Sequence, residues 1–462
     1  MYRRQSNTWA LTASGSTWKR AAGLCAAVIA LTGCHAAGGP WLGVNTYLGH
    51  GEYGGLWPSA KPSPVDRELY FRLVGELRVT HVRDLFCSWY RAEPREGQPY
   101  DFAVTDDIAR RAGEAGVDLL GVCWVIPSWA AEGESAADWS LGVPRRDKAE
   151  AFARFVTAFV KRYGSAGLFA ASGWRRPVRC YEFMNEMEGV PVAEYAYWLK
   201  LFYQTVKTAD PGAIVVLGGL TSPGHRMIER PEGDYHKYFD RLMACPELAG
   251  RQYPYFDAVS FHLYPASYPG REPFADAVLY LRQVLELHRV NRPLWLTAFG
   301  ADSRGNLPNE LDVQAREVVK MAVQARSLGV ERAYLNGLWD YRQPGRPDIT
   351  RNFGLVREAP SGQSPEKKPA FDAVRELASL AGHAEISQTG PGFFAIRTGG
   401  VTSYVAWREE GGDGGIRSDR LADAWWQVTS LDGRKTVLHG SAIRLTKAPI
   451  FLTPTRSPFI LQ

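Results

Sequence analysis

Several things are scarce in this chain of 462 residues, and each scarcity removes a class of protein. Cysteine occurs only six times, with no CxxC pair and no HExxH, and the nine histidines are scattered. No His/Cys spacing suits a metal ion, so no metal is expected. Charge of one sign is also lacking. Of the formal +5, four positive charges (Arg3, Arg4, Lys19 and Arg20) fall in the first 33 residues, which hold no acid. The remainder carries about +1, which gives no electrostatic footprint for nucleic acid or an anionic membrane. No uncharged apolar run approaches the roughly 20 residues of a membrane-spanning helix. A doubly wound sheet is the alternative to the arrangement read below, and no cofactor is expected.

The N-terminus reads as an address. Lys19-Arg20 precede an apolar run, Ala21–Thr32, and the sequence Leu31-Thr32-Gly33-Cys34 follows. A basic flank, a short apolar core and small residues at its end make a secretory signal over 1–33. The last four of these residues resemble a bacterial lipobox. That resemblance implies lipidation at Cys34, export to the periplasm or outer membrane, and membrane contact through the lipid anchor only. Four cysteines then remain in the fold: Cys87, Cys123, Cys180 and Cys245. Three lie in or beside expected strands, where a small buried thiol is the ordinary role.

From Trp41 onward, short apolar runs alternate with segments of helical period. Strands are expected at Trp41–Leu48, Thr80–Phe86, Val117–Val125, Val178–Phe183, Ala213–Gly218, Phe256–His262, Leu294–Thr297 and Arg332–Leu338. The helical stretch Ala193–Ala209 shows the pattern best, with Tyr195, Trp198, Leu199, Phe202 and Val206 on one face. Such alternation demands a parallel sheet covered by helices. About eight units over residues 34–383 is the size of a (β/α)8 TIM barrel. Beyond residue 384 short strand-like runs and an Asp432-Gly433 turn signal predict a small C-terminal antiparallel β domain, β-sandwich-like, over 384–462.

In such a barrel, function sits at the C-terminal strand ends. The fourth strand runs Tyr181-Glu182-Phe183-Met184 into Asn185-Glu186, a carboxyl beside an amide that suits a general acid/base. The third ends in Ile126-Pro127-Ser128-Trp129, and the second carries Val82-Arg83-Asp84. The sixth reads Ser260-Phe261-His262-Leu263-Tyr264-Pro265, and the seventh Trp295-Leu296-Thr297-Ala298-Phe299-Gly300. Taken in order, with Tyr100-Asp101-Phe102, Asp210-Pro211-Gly212-Ala213, Phe353-Gly354-Leu355 and Pro449-Ile450-Phe451-Leu452, these phrases resemble the clan A glycoside hydrolases, most nearly the family 39 and family 5-like group.

That resemblance implies a retaining site built on two glutamates and a polysaccharide or oligosaccharide substrate, with bacterial exopolysaccharide suggested by members of the group. The acid/base maps onto Glu186. The nucleophile's place, in a Trp-Leu-Thr-Glu-Phe-Gly type phrase, is held by Ala298. A methyl group cannot attack an anomeric carbon, so double displacement is broken as the sequence stands. The resemblance further implies that Arg83, Asn185, His262 and Tyr264 bond the glutamates or the sugar. It leaves Arg83 without the carboxylate it would hold. Trp129 and above all Trp339 are expected sugar platforms, with Trp124, Trp139 and Tyr341 as further flat faces. Asp302, in the loop after the seventh strand, is the alternative carboxylate, as the base of an inverting mechanism, and Glu188 lies two residues after Glu186. The competing reading is a pseudo-glycosidase that binds a glycan without cleaving it; a purely structural lipoprotein leaves the aromatic strand ends unexplained.

Overall fold

The computed structural model describes residues 40–50, 64–132, 139–140, 142–167, 176–221, 237–249, 254–264, 274–303, 307–340, 352–357, 365–409, 421 and 423–455. The expected signal peptide 1–33, Cys34, Tyr341 and the Trp139 side chain lie outside them.

Eight parallel strands close into a barrel: β1 (Leu42–Asn45), β2 (His81–Cys87), β3 (Asp118–Cys123), β4 (Cys180–Asn185), β5 (Ile214–Thr221), β6 (Val259–Leu263), β7 (Leu294–Phe299) and β8 (Arg332–Leu335). Each is followed by a helix: α1 (Pro64–Leu77), α2 (Ala103–Glu114), α3 (Ala149–Tyr163), α4 (Val192–Ala209), α5 (Tyr238–Met243), α6 (Phe274–Leu287), α7 (Pro308–Ser327) and α8 (Pro369–Ala381). The chain is a (β/α)8 barrel with a C-terminal antiparallel β domain. The strands form because both faces are buried; β1, β2 and β7 are buried at every position. The first strand is shorter than its apolar run, because the chain turns into a 3-10 helix at Leu48.

The helices form where one apolar stripe meets the barrel. Helix α3 buries Phe152, Phe155, Val156, Phe159, Val160 and Tyr163. Helix α4 buries Tyr195, Trp198, Leu199, Phe202 and Val206, the stripe expected from its spacing. Phe183 of β4 stacks between them on Tyr195 and Phe202. Each such side chain contributes about 1.5–3 kcal/mol of burial, and truncating Phe159 to Ala costs about 3–5 kcal/mol. This packing makes the end of β4 a rigid platform.

The C-terminal domain departs from the expected sandwich. Its described residues form one six-stranded antiparallel sheet in the order β9-β10-β11-β14-β12-β13: β9 (Glu385–Gly390), β10 (Phe393–Thr398), β11 (Val401–Ala406), β12 (Trp425–Thr429), β13 (Lys435–His439) and β14 (Ile450–Thr455). A second sheet is unnecessary because the barrel supplies the cover. Ile386, Phe394, Val405 and Phe451 join the same core as Phe371 and Val374 of α8. The opposite face is closed by Leu421, Ile443 and Leu445 over Trp426 and Leu452. The run Ala442–Thr446 therefore serves as cover, and no strand forms there. The expected turn at Asp432-Gly433 does join β12 to β13; Gly433 has φ +80, a conformation open to glycine.

Candidate active site

At the barrel's centre stands a buried ion pair. Arg83 of β2 donates from Nε to Glu182 Oε2 at 2.6 Å and from Nη2 to Glu182 Oε1 at 3.0 Å. Its Nη1 donates to Asn45 Oδ1 at 2.9 Å and its Nη2 also to Asn185 Oδ1 at 2.8 Å. Arg83 is therefore not left without a carboxylate, and that expectation is corrected. Four of its five N–H groups are taken, and Glu182 supplies the balancing charge. Burial works against the guanidinium's charge, and the Glu182 carboxylate more than offsets it, raising the Arg83 pKa.

Around this pair a second layer forms. Glu182 Oε1 also accepts from Ser260 Oγ at 3.1 Å and from Thr297 Oγ1 at 3.3 Å. Thr297 Oγ1 lies 3.1 Å from His262 Nε2, and His262 Nδ1 lies 3.0 Å from Glu186 Oε1. Because Thr297 gives its proton to a carboxylate, it accepts from His262 Nε2–H, and the other ring nitrogen faces Glu186. The imidazole thus holds the Glu186 carboxyl in a defined place, as a general acid/base requires. Glu186 itself sits at φ +50, and its side chain is 45% exposed, within reach of a substrate.

His262 occupies its place because β5 carries no side chain at Gly219. A Cβ there would lie 2.1 Å from His262 Nε2. On the other side, β7 holds one extra residue relative to both neighbours. Phe261 and His262 of β6 pair with Leu296 and Ala298, while Ala333 and Leu335 of β8 pair with Leu296 and Phe299. Such a bulge lets successive side chains share a face. Ala298 is 4% exposed and in register with His262, yet belongs to none of the apolar clusters.

A further arc of hydroxyls crosses from β6 to β1. Tyr47 donates to Asn336 Oδ1 at 2.7 Å, and Asn336 Nδ2 donates to Tyr264 at 2.8 Å. Burial pushes the Tyr47 phenol up to about 12 and that of Tyr264 well above the usual range. Both stay protonated at neutral pH. Neither is a phenolate that could stand in for a missing nucleophile.

The other carboxylates are engaged elsewhere. Glu182 is fully buried. Asp302 is buried in the electrostatic field of Lys368, whose Nζ donates to Asp340 Oδ1 at 2.7 Å and to Ser303 Oγ at 3.1 Å. Trp129 meets Trp89 edge-on at 4.9 Å and donates from Nε1 to the Glu93 carbonyl. Trp339 stacks on Tyr70 of α1 at 5.2 Å, which takes one of its faces. The structure thus brings Arg83, Asn185, Glu186, His262 and, by register, Ala298 together, with Tyr264 reaching Asn336 beside them. Trp129, in the 3-10 turn Ser128–Ala130 beyond β3, and Trp339, beyond the end of β8, take no part in the hydrogen bonds of that group given above. Asn45, Tyr47, Glu182, Thr297 and Asn336 complete it and were not singled out from sequence. Asn45 and Asn336 each lie just at or beyond a strand end, a signal that could have found them.

Solved structures of several glycoside hydrolases resemble this chain in fold. A family 39 glycoside hydrolase from Bacteroides cellulosilyticus WH2 is 19% identical with a TM-score of 0.66, covering 90% of this chain and 81% of that one. A monomeric beta-xylosidase from Caulobacter crescentus CB15 is 16% identical with a TM-score of 0.63, covering 91% and 98%. The GH39 enzyme from Xanthomonas axonopodis pv. citri is 14% identical with a TM-score of 0.62, covering 91% and 96%. At such identities the likeness establishes the fold. No family model and no curated protein matches the sequence.

Proposed function

We propose that this chain carries a glycoside hydrolase-type cleft for a polysaccharide, in which Glu186 is the acid/base and Ala298 stands where a retaining enzyme has its nucleophile. The observation that carries this reading is the chain of contacts from Glu182 through Thr297 and His262 to Glu186. A buried carboxylate, a fixed imidazole and an exposed carboxyl in line have no packing role that apolar residues would not fill better. They have a clear role in proton donation to a leaving oxygen. Trp129 and Trp339 are the proposed stacking faces for sugar rings, and Arg83, Asn185, His262 and Tyr264 the polar frame. The signal at 1–33 and Cys34 support export and a lipid anchor in the periplasm or outer membrane, where a bacterial exopolysaccharide is the proposed substrate.

A second reading, glycan binding without cleavage, is favoured by the engagement of Glu182 and Asp302 in buried contacts. Both are buried. The two readings part on one experiment. The unaltered protein and its Ala298→Glu variant are assayed on aryl glycosides and bacterial polysaccharides. Turnover by the variant supports a hydrolase cleft lacking one group; silence from both, with calorimetric glycan binding, supports the binding reading.

A further inference from the structure

Two residues after Glu186 a second carboxyl points the other way. Glu188 is 5% exposed. It lies in the 3-10 turn Met187–Gly189, directly after the left-handed Glu186. Its Oε1 accepts from the backbone N–H of Thr221, the last residue of β5, and its Oε2 lies 3.3 Å from Thr221 Oγ1. Either oxygen of that second contact can supply the proton once the carboxyl is neutral. The turn is gripped again one residue later, where Tyr238 of α5 donates to the Val190 carbonyl at 2.8 Å.

The described titratable groups facing Glu188 are few. They are Glu186 on its own turn, Tyr195 from α4 and Tyr238 from α5, with Arg241 over the Tyr238 ring at 5.9 Å. Burial holds both phenols well above their usual range, so neither carries charge. Burial also pushes the Glu188 carboxyl up to about 8, and the neighbouring Glu186 adds to that shift. A hydrogen bond from a backbone N–H at a strand end would be served by Asn or Ser without titration. A carboxyl there ties the turn's anchor to the charge on Glu186.

We propose that Glu188 is a positioning residue for Glu186: its buried carboxyl anchors the turn carrying the acid/base to the end of β5 and couples the protonation of the two groups. This rests on Glu186 being the acid/base, as argued above.

The test uses the full chain with Ala298→Glu and an aryl glycoside. Adding Glu188→Ala should lower kcat by about 10²-fold with KM little changed, since loss of the anchor misplaces the acid. Glu188→Gln should recover most of kcat at neutral pH, because its carbonyl still accepts from Thr221. In parallel, carbon-13 NMR follows the Glu188 carboxyl. Its midpoint should lie near 8 and fall in the Glu186→Gln variant, a shift that a purely structural anchor would not produce. Unchanged kcat in Glu188→Ala overturns the proposal, as does a midpoint in the ordinary carboxylate range or one indifferent to Glu186→Gln. If the Ala298→Glu protein turns over nothing, the acid/base reading fails separately, and the NMR response alone decides whether the two carboxyls are coupled.

Discussion

The two opposite rims of the barrel mouth differ sharply in chemistry. At the end of β4, Glu186 is exposed, backed by His262 and set on a turn that Thr221 and Tyr238 hold from behind. At the end of β7, Ala298 offers a methyl group, although Thr297 beside it still bonds Glu182 and His262. On the proposed reading, the polar frame needs no carboxylate at position 298, because Glu182 already balances Arg83. A site can lose its reactive group and keep its geometry when the frame is neutral without that group.

The largest effect expected from breaking this asymmetry is at Ala298. Ala298→Glu should raise aryl glycoside turnover by up to about a million-fold, or about 8 kcal/mol of barrier; an initial-rate assay reads it directly. Next, Glu186→Gln in that background should lower kcat by about 10²–10⁴-fold on glycosides with poor leaving groups. Substrates whose leaving group needs no proton should be affected far less, which would assign the β4 rim to proton donation.

The shared frame can be broken as well. Glu182→Gln leaves the buried Arg83 uncompensated and should cost about 3–5 kcal/mol in urea unfolding. Glu188 should show a smaller, pH-dependent effect. Its folded pKa, about 8, lies above the ordinary carboxylate value, so the folded state keeps a proton that the unfolded chain releases. Its contribution is neutral below about pH 4, becomes destabilising as pH rises toward 8, and levels off at a few kcal/mol above that. Glu188→Gln should therefore flatten the loss of stability between pH 5 and 8. Unfolding curves at both pH values check it. Last, Gly219→Ala should displace His262 and cost about 1–3 kcal/mol, with the chemical shift of the His262 ring as the sensitive readout.

Much of this was legible in the sequence. Helical and strand periods announce a barrel because its elements are buried in simple one-sided or two-sided ways, as the α4 stripe shows. Glu186 and His262 could be found because each follows or ends an apolar run. Glu182 could not, because a carboxylate inside the run Tyr181–Phe183 acquires its meaning only when β2 brings Arg83 within 2.6 Å. Thr297 likewise depends on a bulge in β7, a feature set by pairing with both neighbours. The C-terminal antiparallel strands were legible too, but their alternating residues demand a cover without saying whether a second sheet or the helix α8 provides it.

The most direct measurement gives azide to the unaltered protein together with an aryl glycoside, and analyses the products by NMR. Azide fits the space left by a carboxylate and forms a C–N bond at the anomeric carbon as the bond to the aryl oxygen breaks; one displacement inverts the configuration. A glycosyl azide of inverted configuration, formed only when azide is present, is the result predicted for a retaining cleft that lacks its nucleophile. Turnover by the unaltered protein without azide would contradict that account.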